Sequence, residues 1–419
     1  MKIVFLGNMN NLPFCIAKGL KEKGFDISFI VDAEKYFLLD RPESWDNEMI
    51  NHYPAWIIEQ PLGEKMRTFK FAFPQLCFKK RIAYLNSFDV VVLNGHWISL
   101  GAFLKKEKCI VNIFAGYDLD VLADFKQVNT FHRSLKQSAG IINKVMPFFL
   151  ADIFFKRLIS FQRKGIQRAG MVNYYATGIN PDGDKLLNEI KAGQTFKRLE
   201  HRGFDCNKFP YKAPAERKPF VILNITRFFY LNNRNSNKRN DIMIKGIGSF
   251  LKANKINAGK VEIIFFNKGE DLAAAKILCN EYGLTPFIQW QPQVSVEGLN
   301  SYFEYCDVAF DQLGKQWVGA GLFSMLTGRP VIANGRPEIF DTITNENSPV
   351  CQATTEAEVE SWLTQLYNNR NLVKEIGVAS RAYVLRHYNL ENAVNYFADF
   401  CCSKMKVYFS LYFKSKSEI

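Results

Sequence analysis

Two basic residues at a strand end define the first chemistry this sequence could do. Arg227 closes the apolar run FVILNIT (220–226), and Lys238 follows after an Asn-rich loop, just before the helical segment NDIMIKGIGSFLKA. Fixed cations in that position can stabilise the negative charge that develops when a diphosphate departs, work otherwise done by a metal ion. The bland alternative is two surface cations among many. Further along, GKQWVGAGLFSMLTGRP (314–330) places Gly319 and Gly321 at the expected start of a helix. Small residues there expose backbone amides to the same anion, although glycines that let a helix pack closely on a sheet would read identically. In the first half, Gly7 ends the opening strand and begins GNMNN, either a ligand-facing turn or a tight turn capped by Asn8 and Asn11. His96 follows the strand DVVVLN in NGHWIS, where open parallel sheets hold their ligands, so it is a candidate to bind a sugar hydroxyl or a phosphate oxygen. Asp118 and Asp120 lie at the next strand end, in IFAGYDLD, as hydroxyl ligands or as helix caps.

The elements that must position these residues alternate between short β-rich runs and helical patterns, the signature of parallel sheets with helices on both faces. The first series is 2–7, 26–32, 89–94, 109–114 and 171–176; the second is 220–226, 261–267, 287–290, 307–311 and 330–334. Between the first two strands, Leu12 to Lys23 reads as a helix that stops at Gly24. Lys212 to Pro219, with two prolines and four charges, separates the two series. The domains expected are therefore 1–212, 213–388, and a C-terminal segment, 389–419. Helices are expected at 356–368, 372–387 and from Leu390 to about Cys402, and the stretches 32–61 and 127–167 read as recognition loops.

A chain of 419 residues can bury two cores, at roughly 150 residues per domain. Its net charge is +13, and the excess is concentrated. Segments 65–81, 133–168 and 403–419 carry +6, +7 and +3 and are rich in large apolar side chains. That mixture suits an anionic bilayer surface better than nucleic acid, for which no helix-turn-helix, zinc-finger spacing or RNA-binding aromatic signature is present. The nine cysteines are odd in number and scattered, which suits reduced thiols in a cytoplasmic protein. No signal peptide is evident, and the longest apolar runs fall short of the ~20 residues needed to span a bilayer.

Taken in order, these features resemble the retaining GT-B glycosyltransferases of family 4. The resemblance rests on the N-terminal G…N, the strand-end Gly95-His96, Gly116-Tyr117-Asp118, HRGFDCNKF (201–209), Arg227, Lys238, and Gly328 to Ile332 followed by Pro337-Glu338. It implies an α/β fold of two Rossmann-like domains facing across a cleft, with C-terminal helices, the last crossing back to the N-terminal domain. It also implies retaining transfer of a hexose or related sugar from a nucleotide-sugar donor, bound mostly by the C-terminal domain, to an acceptor on the N-terminal one. Under this reading His96 and Asp118 are the catalytic candidates. Gly7, Arg227, Lys238, Asp311, Gly319, Gly321 and Glu338 bind the donor.

The chain departs from the family at its pair of glutamates, which falls here on Lys315 and Phe323, and at Ala115, where the family often has histidine. Asp311, in an Asp-Gln pair resembling a capsule- and lipopolysaccharide-type subset, is the candidate to supply part of the missing hydrogen-bond acceptor function. The expectation is an enzyme that needs neither cofactor nor metal, because Arg227 and Lys238 take the place of a cation and the departing phosphate takes the acceptor proton. The expected acceptor is a lipid-linked saccharide or surface polysaccharide at the inner face of the membrane. A non-catalytic subunit of a polysaccharide assembly complex is the alternative.

Overall fold

The computed structural model describes all residues except 33–39, 50–51, 62–66, 138–146, 200–202, 204, 216–218, 233–236, 316–318 and 418–419, and the side chains at 47, 67–68, 134–137 and 404–417. It consists of two compact units. The first comprises Met1–Ala176, Pro181–Gly203 and Leu390–Ile419, and the second Thr177–Asn180 and Phe204–Asn389.

In the first unit the apolar runs become β1 (Lys2–Leu6), β2 (Asp26–Asp32), β3 (Ile57–Gln60), β4 (Val90–Asn94), β5 (Cys109–Ile113), β6 (Met171–Asn173) and β7 (Lys197–Leu199). All pair in parallel, in the order β3-β2-β1-β4-β5-β6-β7. A strand covered by helices on both sides has no polar face, and all five residues of Val90–Asn94 are buried. The helix Leu12–Glu22 carries Pro13 in its first turn and ends against Gly24, whose φ of +86° suits glycine. The helix Phe148–Arg168 lies directly on the turn Gly95–Phe103. It can do so because a Cβ on Gly165 would come within 1.8 Å of the Ile98 carbonyl oxygen. The last helix, Leu390–Ser417, belongs to this unit: Val394 covers Gly19 and Phe397 stacks on Phe5 at 6.0 Å.

The second unit repeats the plan with β8 (Phe220–Asn224), β9 (Val261–Phe266), β10 (Ile288–Gln291), β11 (Val308–Phe310), β12 (Val331–Ala333) and β13 (Cys351–Gln352), in parallel order β10-β9-β8-β11-β12-β13. Its core gathers Phe220, Ile222, Phe250, Ile263, Phe265 and Val308. Each such side chain withdrawn from water contributes about 1.5–3 kcal/mol. The helix Asn240–Ala253 packs tightly on Glu356–Asn368, where a Cβ on Gly246 would strike Val359 at 2.5 Å. A capping box of Thr355 and Glu358 starts the second of these helices.

Three sequence expectations change. The stretch 127–167 is not a loop: within it lie Val128–Gln137 and most of Phe148–Arg168, whose apolar stripe is blurred by exposed phenylalanines at its start. The units meet in sequence at Gly203, ahead of the 212–219 linker, because Phe209 already packs in the second unit, stacked on Phe323 at 4.6 Å. The final helix runs to Ser417, well beyond Cys402. In both sheets the strand order reverses once, between β1 and β4 and between β8 and β11, and ligands of open α/β sheets sit beyond the carboxyl ends of strands at such reversals.

Candidate functional site

The reversal in the first unit lies between Gly7 and Asn94. A side chain on Gly7, which has φ +95°, would meet the Asn94 carbonyl oxygen at 2.6 Å, so glycine brings the two strand ends together. Asn94 Oδ1 accepts from the Met9 amide at 2.7 Å, and its Nδ2 donates to the Ile113 carbonyl at 2.7 Å. Asn8 does cap the helix Leu12–Glu22, its Oδ1 accepting from Phe14 N at 3.0 Å, whereas Asn11 holds Asn8 and Ser44. Asp118 is fully buried, and its carboxylate accepts from the amides of Gly95, Ala115 and Gly116 at 3.0–3.3 Å and from Asn94 Nδ2. Burial pushes its pKa up to about 6, against these donors. In this arrangement Asp118 ties the loops after β4 and β5 together. His96, in the turn after β4, is half-buried, its ring 5.3 Å from Phe71 and 6.4 Å from the exposed Tyr117. Asp120 accepts from the Tyr174 hydroxyl at 2.7 Å.

At the reversal in the second unit the chemistry is cationic. The loop after β8 is pinned by Asn240, which accepts from Phe229 N at 3.0 Å and donates to Thr226 Oγ1 at 3.1 Å. From this loop Arg227 projects into solvent, its guanidinium 5.1 Å from the Phe229 ring. Lys238 is tied back to the loop through its amide on the Phe229 carbonyl at 2.7 Å, and its ammonium donates to Gln312 Oε1 at 2.7 Å. A third cation, Lys268, comes from the end of β9, with its carbonyl accepting from Phe228 N at 3.0 Å. Desolvation lowers both lysines to about 8; nearby Asp311 opposes the shift and Arg227 adds to it. Sequence reading missed Lys268 because no motif surrounds it; the usable signal was a cation directly after an apolar strand, as at Arg227.

Asp311, buried after β11, accepts from the Gln312 amide at 2.8 Å and the Gly321 amide at 3.0 Å. Burial raises its pKa, against the pull of Lys238, those two amides and Lys268. Gly321 is required by this approach, since a Cβ there would lie 2.9 Å from Asp311 Oδ2. Its amide thus binds Asp311. Gly319, at φ +117°, turns the chain into the helix Ala320–Leu326, and a Cβ there would meet nothing within 4 Å. Glu338 pairs with Arg336, whose guanidinium also donates to the Lys315 carbonyl. Phe323 is buried against Phe209, and Lys315 is exposed. The structure therefore gathers Arg227, Lys238, Lys268 and Asp311 into one electrostatic group. Among the described residues, no cluster of three or more His, Cys, Asp or Glu could hold a metal ion.

No protein-family model matches the chain, and no curated protein sequence does. Solved structures match over nearly the whole length. Sucrose-phosphate synthase from Thermosynechococcus elongatus is 13% identical, covers 98% of this chain and 99% of its own, and superposes with a TM-score of 0.60. HepE of Anabaena, solved with UDP-glucose, gives 14% identity, 96% and 100% coverage and a TM-score of 0.59. A glycosyltransferase from Rickettsia africae gives 14%, 96% and 98%, and 0.62. With two parallel sheets in two Rossmann-like units, the fold is GT-B.

Proposed function

We propose that the protein is a glycosyltransferase that moves a hexose or related sugar, with retention, from a nucleoside-diphosphate donor to a lipid-linked or surface-polysaccharide acceptor. The observation that supports it most is the cationic group at the β8/β11 reversal. Anions bind where fixed cations converge on a partly desolvated surface, and a departing diphosphate gains most from charges already in place. HepE, a structural neighbour, was solved with UDP and glucose, in keeping with such a donor. In this mechanism Arg227 and Lys238 hold the diphosphate without a metal, and the departing phosphate oxygen takes the acceptor proton on the same face. His96 and Tyr117 offer the acceptor sugar a ring surface and a polar edge, while Asp118 fixes the loop that carries His96. The test is incubation with nucleotide sugars and candidate acceptors, followed by NMR of the product anomer. A product of inverted configuration would refute retention, and no turnover of any donor would refute the enzyme.

The non-catalytic reading keeps one specific support. The family's glutamate positions are occupied by exposed Lys315 and by Phe323, which is committed to packing on Phe209. Donor binding without transfer or hydrolysis would favour that reading.

For location, we propose docking on the anionic inner leaflet. Among the described residues no helix is long and apolar enough to cross a membrane. Phe148 and Phe149 are 59% and 63% exposed at the start of a helix that also carries Lys156, Arg157 and Lys164. Much of the basic charge counted in the sequence falls on undescribed residues or side chains within 62–68, 134–146 and 404–419.

A further inference from the structure

We infer that Lys268 is a third diphosphate-binding residue and that the cluster Arg227–Lys238–Lys268 selects a diphosphate over a monophosphate ligand. The inference rests on the donor-site reading above and extends it to a residue that carries no recognised motif. The geometry begins with the backbone. Phe228 and Phe229 anchor both lysines: Phe228 N donates to the Lys268 carbonyl at 3.0 Å, and Lys238 N donates to the Phe229 carbonyl at 2.7 Å. Arg227 is the residue immediately before. Gly269 secures the approach, since at φ +116° a Cβ there would strike the Phe228 carbonyl oxygen at 2.2 Å. The three cations thus emerge where the chain segments after β8 and β9 are joined by backbone hydrogen bonds.

Their head groups differ in what satisfies them. Lys238 donates to Gln312 Oε1, and Arg227 lies beside the Phe229 ring. The Lys268 ammonium has no side-chain hydrogen bond among the described residues; it lies 5.6 Å from the centre of the Phe266 ring. A half-buried ammonium that loses water without gaining an acceptor is a costly arrangement, and its lowered pKa reports that cost. Asp311, the anion coupled to both lysines, is buried and engaged by two amides. Among the described residues, Arg227, Lys238 and Lys268 set against Asp311 leave surplus positive charge for a ligand bearing two or more negative charges. At pH 7 one phosphate carries between one and two negative charges and two linked phosphates carry more, so a diphosphate balances the three cations more nearly and offers them more oxygens.

The probe is inorganic pyrophosphate against orthophosphate, titrated in EDTA at pH 7 into the full-length protein. Wild type should prefer pyrophosphate by at least about tenfold, Lys268→Ala should lose most of that preference with an unchanged melting temperature, and Lys268→Arg should retain it. Equal binding of the two anions by wild type, or an unchanged preference in Lys268→Ala, overturns the inference. If Lys268→Ala melts at a lower temperature, Lys268→Gln serves as the second variant under the same criterion. Failure here is separable from failure of the enzymatic reading. A protein that turns over nucleotide sugars but keeps its pyrophosphate preference without Lys268 contradicts only this inference. One that binds pyrophosphate through Lys268 but transfers no sugar contradicts only the activity.

Discussion

The two strand-order reversals share a topology and differ in how their polar groups are satisfied. At β1/β4 the buried charge is a carboxylate, and Asp118 accepts from three backbone amides and one side-chain amide. At β8/β11 the carboxylate of Asp311 is likewise engaged, but Lys238 and Lys268 both act on it, Arg227 acts on those two lysines, and both lysines have lowered pKa values. One junction is internally complete and serves to hold loops; the other carries surplus positive charge that an anion would relieve. The same fold thus produces a positioning device and a binding device, and the sign and satisfaction of a few side chains decide which.

The largest effect expected from breaking this contrast is on ligand binding at the second junction. Arg227→Ala and Lys238→Ala should each weaken nucleoside-diphosphate affinity about 10- to 100-fold, the worth of a hydrogen bond to a charged group at about 1.5–3 kcal/mol, as read by calorimetry. Loss of less than threefold from both would mean that the anion sits elsewhere. Asp118→Asn should instead destabilise the protein by about 2–3 kcal/mol, because the new NH2 faces the amides of Gly95 or Ala115, with no primary effect on donor affinity. Denaturant unfolding that matches wild type would show that Asp118 is not the tie between these loops.

Two pH effects share one origin, the burial of a charged group, and shift the pKa in opposite directions. Asp118 has a folded pKa of about 6, above its unfolded value, so between about pH 4 and 6 the folded state binds more protons. Its contribution to stability is therefore present at low pH and lost as pH rises through 6, a slope that Asp118→Asn should remove from a chemical-unfolding series. Lys238 and Lys268 titrate near 8, so diphosphate affinity should fall as pH rises from 7 to 9, while the unfolded chain keeps its lysines charged to about 10. A flat affinity profile over that range would place the ligand away from both lysines. The smallest effect belongs to Glu338→Ala. Its pairing with Arg336 is solvent-exposed, and such pairs contribute about 0–1 kcal/mol, so both stability and donor binding should stay close to wild type. A clear loss of donor affinity would move Glu338 into the site.

The legible part of the fold follows from the same physics that divides the junctions. Parallel strands buried on both faces, such as Val90–Asn94 and Phe220–Asn224, read as unbroken apolar runs, so the core strands and both series were visible. Ile57–Gln60, Lys197–Leu199 and Cys351–Gln352 are two to four residues long with incomplete burial, too short to register a pattern. At the site, Arg227 and Lys238 were legible because they flank a strand and a helix. The use of Gly321 was legible only as a small residue, because nothing in the sequence says that its neighbour in space is Asp311. Lys268 was lost among the other lysines; what sets it apart is the backbone bond between the loops that follow β8 and β9, a feature of topology.

The measurement that bears most directly on the account is calorimetric titration of nucleoside-diphosphate sugars into the protein in EDTA, with wild type, Arg227→Ala and Lys238→Ala side by side. At least one donor should bind wild type without metal, and both variants should lose about 10- to 100-fold in affinity. Binding that appears only when a divalent cation is supplied, or that both variants retain in full, would contradict it.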